Sequence, residues 1–182
     1  MASVTWSKIA RRVRVPLGFA FAAFYLWLAT PTPESMLIGS ALVIPGLAIR
    51  ALASGHVRKN EQLTTTGPYA HTRNPLYLGS LILAVGFAIS ARNWWIGVGL
   101  VVLFLAIYLP VIRGEEAFLR DHFPEFTEYE RQVPRLLPRL SPFNRSRGTF
   151  SSRLYWKHRE YNATLGAITL MAALAVKVVW IQ

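Results

Sequence analysis

TTTGPYAHTRNPLYLGS, residues 64–80, sets turn formers, a histidine, an arginine and two tyrosines directly against an apolar run. Gly67-Pro68 makes a turn. Asn74-Pro75 keeps the preceding backbone out of helix while proline suits a first helical turn, so a helix is predicted to begin at Pro75. Leu76 to Ser90 can then insert into a bilayer. A capped membrane helix with Arg73 anchored among headgroups accounts for Arg73, Asn74 and Pro75, but not for His71, Tyr69 and Tyr77 gathered at the same entrance.

The rest of the chain fits that reading. Of 182 residues 53% are hydrophobic and only 16% charged, with a mean hydropathy of +0.32, which favours the bilayer as solvent over water. Five apolar runs stand out, Val15–Ala29, Met36–Ala53, Pro75–Ser90, Trp94–Ile112 and Ala163–Ile181. Most approach the ~20 residues a helix needs to cross hydrocarbon. The expected fold is an all-α integral membrane protein with about five transmembrane helices. Gly86, Gly97 and Gly99 lie inside these runs, where glycine permits close helix approach, and Trp27, Trp94, Trp95 and Trp180 lie toward their ends, as interfacial aromatics do.

Five spans put alternate loops on opposite faces. Eighteen of the 20 basic residues then share one face, leaving Arg92 and Lys177 for the other, so the N-terminus is expected in the cytoplasm and the protein in a bacterial-type inner membrane. The net charge of +11 reads as orientation and attraction to anionic headgroups; no nucleic-acid motif supports nucleic acid as a partner. Leu28-Ala29-Thr30-Pro31 is a poor signal-peptide cleavage site, so span one is expected to stay. With no cysteine, disulfides, zinc thiolates and cysteine nucleophiles are excluded.

Thr30–Ser35 and Ala91-Arg92-Asn93 join neighbouring spans as tight helical hairpins. Polar material concentrates instead in residues 54–74 and 113–161, where any chemistry is expected. Span four is predicted to continue as helix through Glu116 and Arg120, spaced i, i+4, up to Pro124. Phe126, Tyr129 and Val133 predict another short amphipathic helix, and Pro134, Pro138 and Pro142 forbid a long one beyond it. Residues 141–152 read as a linker to a basic, aromatic surface stretch, Arg153–Arg159. A dinucleotide fingerprint, a phosphate loop and a His-Glu-x-x-His motif are all missing, and the four histidines are too scattered to predict a metal site.

Two ordered blocks carry a resemblance. Gly67-Pro68-Tyr69, then Arg73-Asn74-Pro75-Leu76-Tyr77-Leu78-Gly79, is followed by Glu115-Glu116-x-x-Leu119, Phe123, Tyr129, Val133-Pro134 and Pro138. This pattern resembles the isoprenylcysteine carboxyl methyltransferases and their phospholipid methyltransferase relatives, integral membrane enzymes using S-adenosylmethionine. The resemblance covers about residues 50–140 of an expected single domain, 1–182, with a linker and last span in 141–182. It implies a cytoplasmic cofactor pocket. Carried over by position, the pocket would take Glu61, Gln62, Leu63, Thr64, Gly67, Tyr69, Arg73, Asn74, Pro75, Tyr77 and Glu115. Only Leu63 is kept in the loop before the glycine, and Asn74 replaces the usual histidine, so that position cannot titrate near neutrality.

The same resemblance implies methyl transfer to a membrane lipid or another hydrophobic acceptor. Carboxylates such as Glu115 and Glu116 would bind the cationic cofactor, and tyrosine faces such as Tyr69 and Tyr77 would add roughly 0.5–2 kcal/mol of cation–π attraction. An amine or hydroxyl acceptor needs a general base, for which Glu116 or His71 are the candidates; a carboxylate acceptor needs none. The prenylcysteine enzymes place a carboxylate-clamping arginine four residues before the glutamate, where this chain has Val111. Arg113 lies about 200° around the helix from Glu115 and can substitute only if the helix breaks at Gly114. His56 and Lys59 are the alternative contacts for an acidic or phosphate-bearing acceptor. Two other readings stay open: an NADPH-dependent membrane lipid reductase using Arg58, Lys59 and Arg73, and a non-catalytic lipid-binding scaffold.

Overall fold

A computed structural model of the chain describes residues 2–58, 61–144 and 148–181. Lys59 lies outside them, as do the side chains of Lys8, Arg11, Arg12 and Arg14 that entered the charge argument. Among the described residues all regular structure is helical: α1 (Ala2–Leu28), α2 (Pro33–His56), a 3-10 turn (Gly67–Ala70), α3 (Pro75–Ala91), α4 (Trp94–Leu103), a π turn (Phe104–Tyr108), α5 (Leu109–His122), α6 (Phe126–Gln132), α7 (Ser152–Lys157) and α8 (Tyr161–Ile181).

Three helical runs are long and apolar enough to cross a membrane, Pro33–His56, Trp94–His122 and Tyr161–Trp180. The other two expected spans are shorter apolar helices, Pro16–Leu28 and Pro75–Ala91. Local chemistry sets the starts. Thr32 precedes Pro33 at the first position of α2, and Thr32 and Ser35 exchange hydrogen bonds, Ser35 Oγ accepting from the Thr32 amide at 2.9 Å and Thr32 Oγ1 from the Ser35 amide at 3.3 Å. Asn93 caps α4 by accepting from the Trp95 amide at 3.0 Å.

The run from Trp94 to His122 is continuous but not uniform. Pro110 has no amide hydrogen to give the carbonyl of Ala106 and its ring crowds that carbonyl. The wider π turn just before it, closed by the Leu109 amide on the Phe104 carbonyl, relieves the clash without ending the helix.

The chain forms two compact units. The first comprises Met1–Val43, Ala84–Glu116 and Ala167–Gln182. Its core is Tyr25, Ala29, Ala91, Ile96 and Leu174, with Phe21, Met36, Phe87 and Leu170 packed around them. The polar groups there close backbone ends. Tyr25 donates to the Phe87 carbonyl at 2.8 Å, Ser35 Oγ to that of Ser90 at 3.0 Å, and Lys177 Nζ caps the end of α1 through the carbonyls of Leu26 at 2.6 Å and Trp27 at 3.1 Å.

The second unit comprises Ile44–Leu83 and Ala117–Gly166. An apolar cluster of Phe126, Tyr129 and Val133 gathers Leu63, Leu119, Phe123 and Phe143 around it. Arg50, near the end of α2, bonds Glu160 through Nε at 2.6 Å and also donates to Ser80 on α3. His158 Nδ1 lies 3.0 Å from the Ser54 carbonyl.

Within each unit α2 and α3 meet at a glycine pair. A Cβ on Gly39 would run into the carbonyl of Gly86 and the side chain of Ser90; one on Gly46 would lie 2.9 Å from the carbonyl of Gly79. The pairs sit about two turns apart on antiparallel helices. Of the glycines expected to serve close approach, Gly86 does so and Gly99 faces Phe21, whereas a Cβ on Gly97 would meet nothing within 4 Å. Gly97 sits on an open face, so its smallness is not used for packing.

Candidate functional site

The unusual stretch before α3 is built in the second unit. Gly67 opens its 3-10 turn at a φ of 59°, and a Cβ there would lie 2.5 Å from the His56 ring, so both backbone and space favour glycine. Pro134, Pro138 and Pro142 keep the chain after α6 irregular, and that strap runs alongside residues 69–74. The Arg73 amide donates to Pro134 O at 2.9 Å, the Arg139 amide to His71 O at 2.9 Å and the Phe143 amide to Ala70 O at 2.8 Å. Thr72 Oγ1 and Asn74 Nδ2 both donate to Arg135 O at 3.1 Å. From α6, the buried Tyr129 hydroxyl donates to Tyr69 O at 2.6 Å.

These bonds give the loop one conformation and orient His71. Its Nδ1 lies 2.8 Å from the Arg139 carbonyl, an acceptor only, which assigns the hydrogen to Nδ1. In the neutral ring Nε2 is then the basic nitrogen, the tautomer a general base requires. His71 is half-buried.

Arg73 has a partner that the sequence reading missed. Its side chain, 11% exposed, meets Glu130 at 3.2 Å, and Arg120 holds the same carboxylate through Nε at 3.0 Å and Nη2 at 2.7 Å. The hydrogen bond from Arg120 leads in holding the Glu130 carboxyl below its ordinary range; the charges of Arg120 and Arg73 add to it, and partial burial opposes it. Two guanidiniums on one carboxylate tie α5, α6 and the loop together. No periodicity links Arg73 to a residue so far along the chain.

Asn74 is buried and spends its amide on the strap, a role that a neutral donor performs without titrating. Pro75 and Tyr69 are buried and Tyr77 is half-buried. Glu61 and Gln62 are exposed, with Glu61 in a surface ion pair to Lys157 at 3.3 Å. Leu63 turns into the Phe126–Tyr129–Val133 cluster, and buried Thr64 accepts from the Arg58 amide at 3.3 Å. His56 packs on Gly67 and lies edge-on to Phe150, with ring centroids 6.2 Å apart.

The other predicted residues belong to the first unit. Glu116 is 2% exposed, Glu115 half-buried, and Val111 is 1% exposed. Arg113 is exposed. Helix α5 runs unbroken from Leu109 to His122, so the break at Gly114 that would let Arg113 replace the missing arginine does not occur. Its carboxylate-clamping role is withdrawn because continuous helix leaves it about 200° from Glu115.

Among the described residues no cluster of three or more His, Cys, Asp or Glu is placed to hold a metal ion. The loop and strap offer an imidazole held through Nδ1, ordered backbone and a paired carboxylate at the start of an apolar helix.

Comparison with known proteins places these elements. The chain is 40% identical over 93 residues to the nickel-cobalt-cadmium resistance protein NccN of Alcaligenes xylosoxydans xylosoxydans, covering 51% of this chain and 43% of that protein. It is 42% identical over 84 residues to the cobalt-zinc-cadmium resistance protein CzcN of Cupriavidus metallidurans, 46% of this chain and 39% of that one. Identity to the protein-S-isoprenylcysteine O-methyltransferase of Schizosaccharomyces pombe is 28% over 100 residues, 54% of this chain and 42% of the relative. The chain thus spans about two fifths of the length of these relatives. No solved structure matches it. The phospholipid methyltransferase family matches residues 17–125, which include the loop, α3 and the Glu115-Glu116 pair. With more than half of its length in that match, and three helices able to cross a membrane, this chain belongs to the phospholipid methyltransferase family.

Proposed function

We propose that the protein transfers a methyl group from S-adenosylmethionine to a hydrophobic or lipid-linked acceptor at the cytoplasmic face of an inner membrane. The observation that carries the proposal is the loop Gly67–Asn74. It lies within the family match and is held by hydrogen bonds immediately before an apolar helix. When bound, S-adenosylmethionine supplies an electrophilic methyl on a sulfonium. Its two cationic groups suit buried or half-buried carboxylates and aromatic faces, a chemistry that Glu115, Glu116 and Tyr77 possess. Glu61, exposed and paired with Lys157, and Arg73, engaged by Glu130, fit that role less well.

The chain's own work is binding and alignment, which in transfer reactions can supply most of the acceleration. The strap holds the Tyr69–Asn74 backbone in place. His71, with Nδ1 committed to Arg139, presents Nε2 as the proton acceptor for an amine or hydroxyl nucleophile. A carboxylate acceptor is already deprotonated and does not need it.

Incubation of the purified protein with S-adenosylmethionine labelled in its methyl group, in membranes of its host, tests both points. Label is expected in the solvent-extractable fraction, and His71→Ala should lower that rate about 100-fold if the acceptor carries a proton on its nucleophile. Transfer unaffected by His71→Ala would remove His71 as the base, leaving Glu116 in that role or a carboxylate acceptor that needs none. Wild-type protein that labels no extractable compound would contradict the reading.

A further inference from the structure

We propose that the strap after α6 is itself a membrane-contact surface that docks on an anionic lipid leaflet through Leu137 and Leu140. This inference stands apart from the methyl-transfer reading and requires no cofactor. Leu140 is 99% exposed and Leu137 79% exposed, although neither belongs to a helix that could cross a membrane. Leucines so presented to water would be unusual in a segment with a fixed conformation. Here the conformation is fixed by the Arg73, Thr72, Asn74 and Arg139 hydrogen bonds that tie the strap to the loop.

Depth follows from the same bonds. Thr72 and Asn74 stand just before Pro75, where the apolar helix α3 begins, and both donate to the carbonyl of Arg135. The strap therefore lies beside the first turn of α3, an apolar helix. Side chains protruding there enter the boundary between headgroups and acyl chains, the depth of about 5–10 Å at which interfacial apolar residues settle.

Charge selects the lipid. From Arg131 to Arg159 the sequence holds eight basic residues and no acidic one. Arg131, 73% exposed and 4.0 Å from Glu128, and Lys157, 61% exposed and 3.3 Å from Glu61, both lie at the surface, where headgroup phosphates can replace an exposed carboxylate as partner. Arginines beside the apolar tips in sequence, Arg135 and Arg139, match an anionic leaflet better than a protein groove, which would bury the leucines without answering the charge.

The cysteine-free chain makes the test clean. Leu140→Cys and, as a control on α6, Glu128→Cys are labelled with an environment-sensitive dye. Each is placed in bilayer nanodiscs of phosphatidylcholine, alone or mixed with phosphatidylglycerol. The expected result is quenching at position 140 by spin-labelled lipid severalfold stronger than at 128, increased by phosphatidylglycerol, with iodide quenching only the control. Iodide access at 140 overturns the proposal. A label shielded from both quenchers also overturns it, in favour of a protein contact. Lipid quenching of equal strength in the two compositions overturns the anionic preference.

Discussion

The two units solve the same problem, ordering helices around a buried centre, with different materials. In the first, apolar side chains meet directly and polar groups mostly close backbone ends, as Tyr25, Ser35 and Lys177 do. In the second, ion pairs and side-chain bonds to distant carbonyls hold an irregular loop and strap, as Arg50–Glu160, Arg73–Glu130–Arg120 and Asn74–Arg135 do. Apolar packing is tolerant of exact partners, whereas a polar network fails when one member is removed. The difference teaches what each unit rests on: a specific polar network orders the loop and strap in the second, and apolar packing orders the first.

The sharpest way to break this comparison is Glu160→Gln. Arg50 would keep its charge beside a neutral amide in a site where the partner is only 10% exposed, and loss of one member of a buried pair costs about 3 kcal/mol. Hydrogen exchange should rise across residues 44–83 and 117–166 and stay unchanged in the first unit. Equal loss of protection in both would erase the distinction.

Gly46→Ala comes next. The added carbon would meet the Gly79 carbonyl at 2.9 Å, and backbone cannot yield as a side chain does, so the melting temperature in detergent should fall by an amount equivalent to about 2 kcal/mol. Gly97→Ala, with nothing within 4 Å, should leave it unchanged or raise it.

A matched pair of deletions isolates the polar role. Tyr25→Phe and Tyr129→Phe each remove a phenol that donates to a backbone carbonyl, and each should cost about 1 kcal/mol of stability. Only Tyr129→Phe releases Tyr69 in the loop, so methyl transfer should fall in that variant alone. Equal activity in the two would detach the loop from the reaction.

The smallest effect is one of pH. Glu130 has its carboxyl lowered in the folded state, so its stabilisation is present above the ordinary glutamate range near ~4.3 and is lost as pH falls through the lower folded value. With its side chain 22% exposed, and Arg120 46% exposed, screening keeps the contribution to about 1 kcal/mol. Acid should loosen residues 117–144 before the first unit, and Glu130→Gln should remove that difference.

Local signals were legible in the sequence. Asn74-Pro75 announces the start of α3, Pro124 separates α5 from α6, and the tyrosine-rich turn before Pro75 stood out against its apolar surroundings, whereas Pro33–Ser35, read as part of a connection, already belongs to α2. What remained hidden depends on tertiary pairing. Arg50 read as a topology charge with no sign of Glu160, Arg73 as a headgroup anchor or cofactor contact with no sign of Glu130, and the strap as a proline-rich connection with no sign that its carbonyls meet Thr72 and Asn74. The glycine pairs repeat at a visible interval, but only the fold shows which helix receives them. The π turn is a local response to Pro110 that apolar patterning does not record.

Calorimetric titration of the detergent-purified protein with S-adenosylmethionine and, separately, NADPH tests the central claim most directly, with Tyr77→Ala and Glu115→Ala alongside. The account predicts micromolar binding of S-adenosylmethionine, weakened in both variants, and no binding of NADPH. Binding of NADPH alone, or of neither compound, would contradict it.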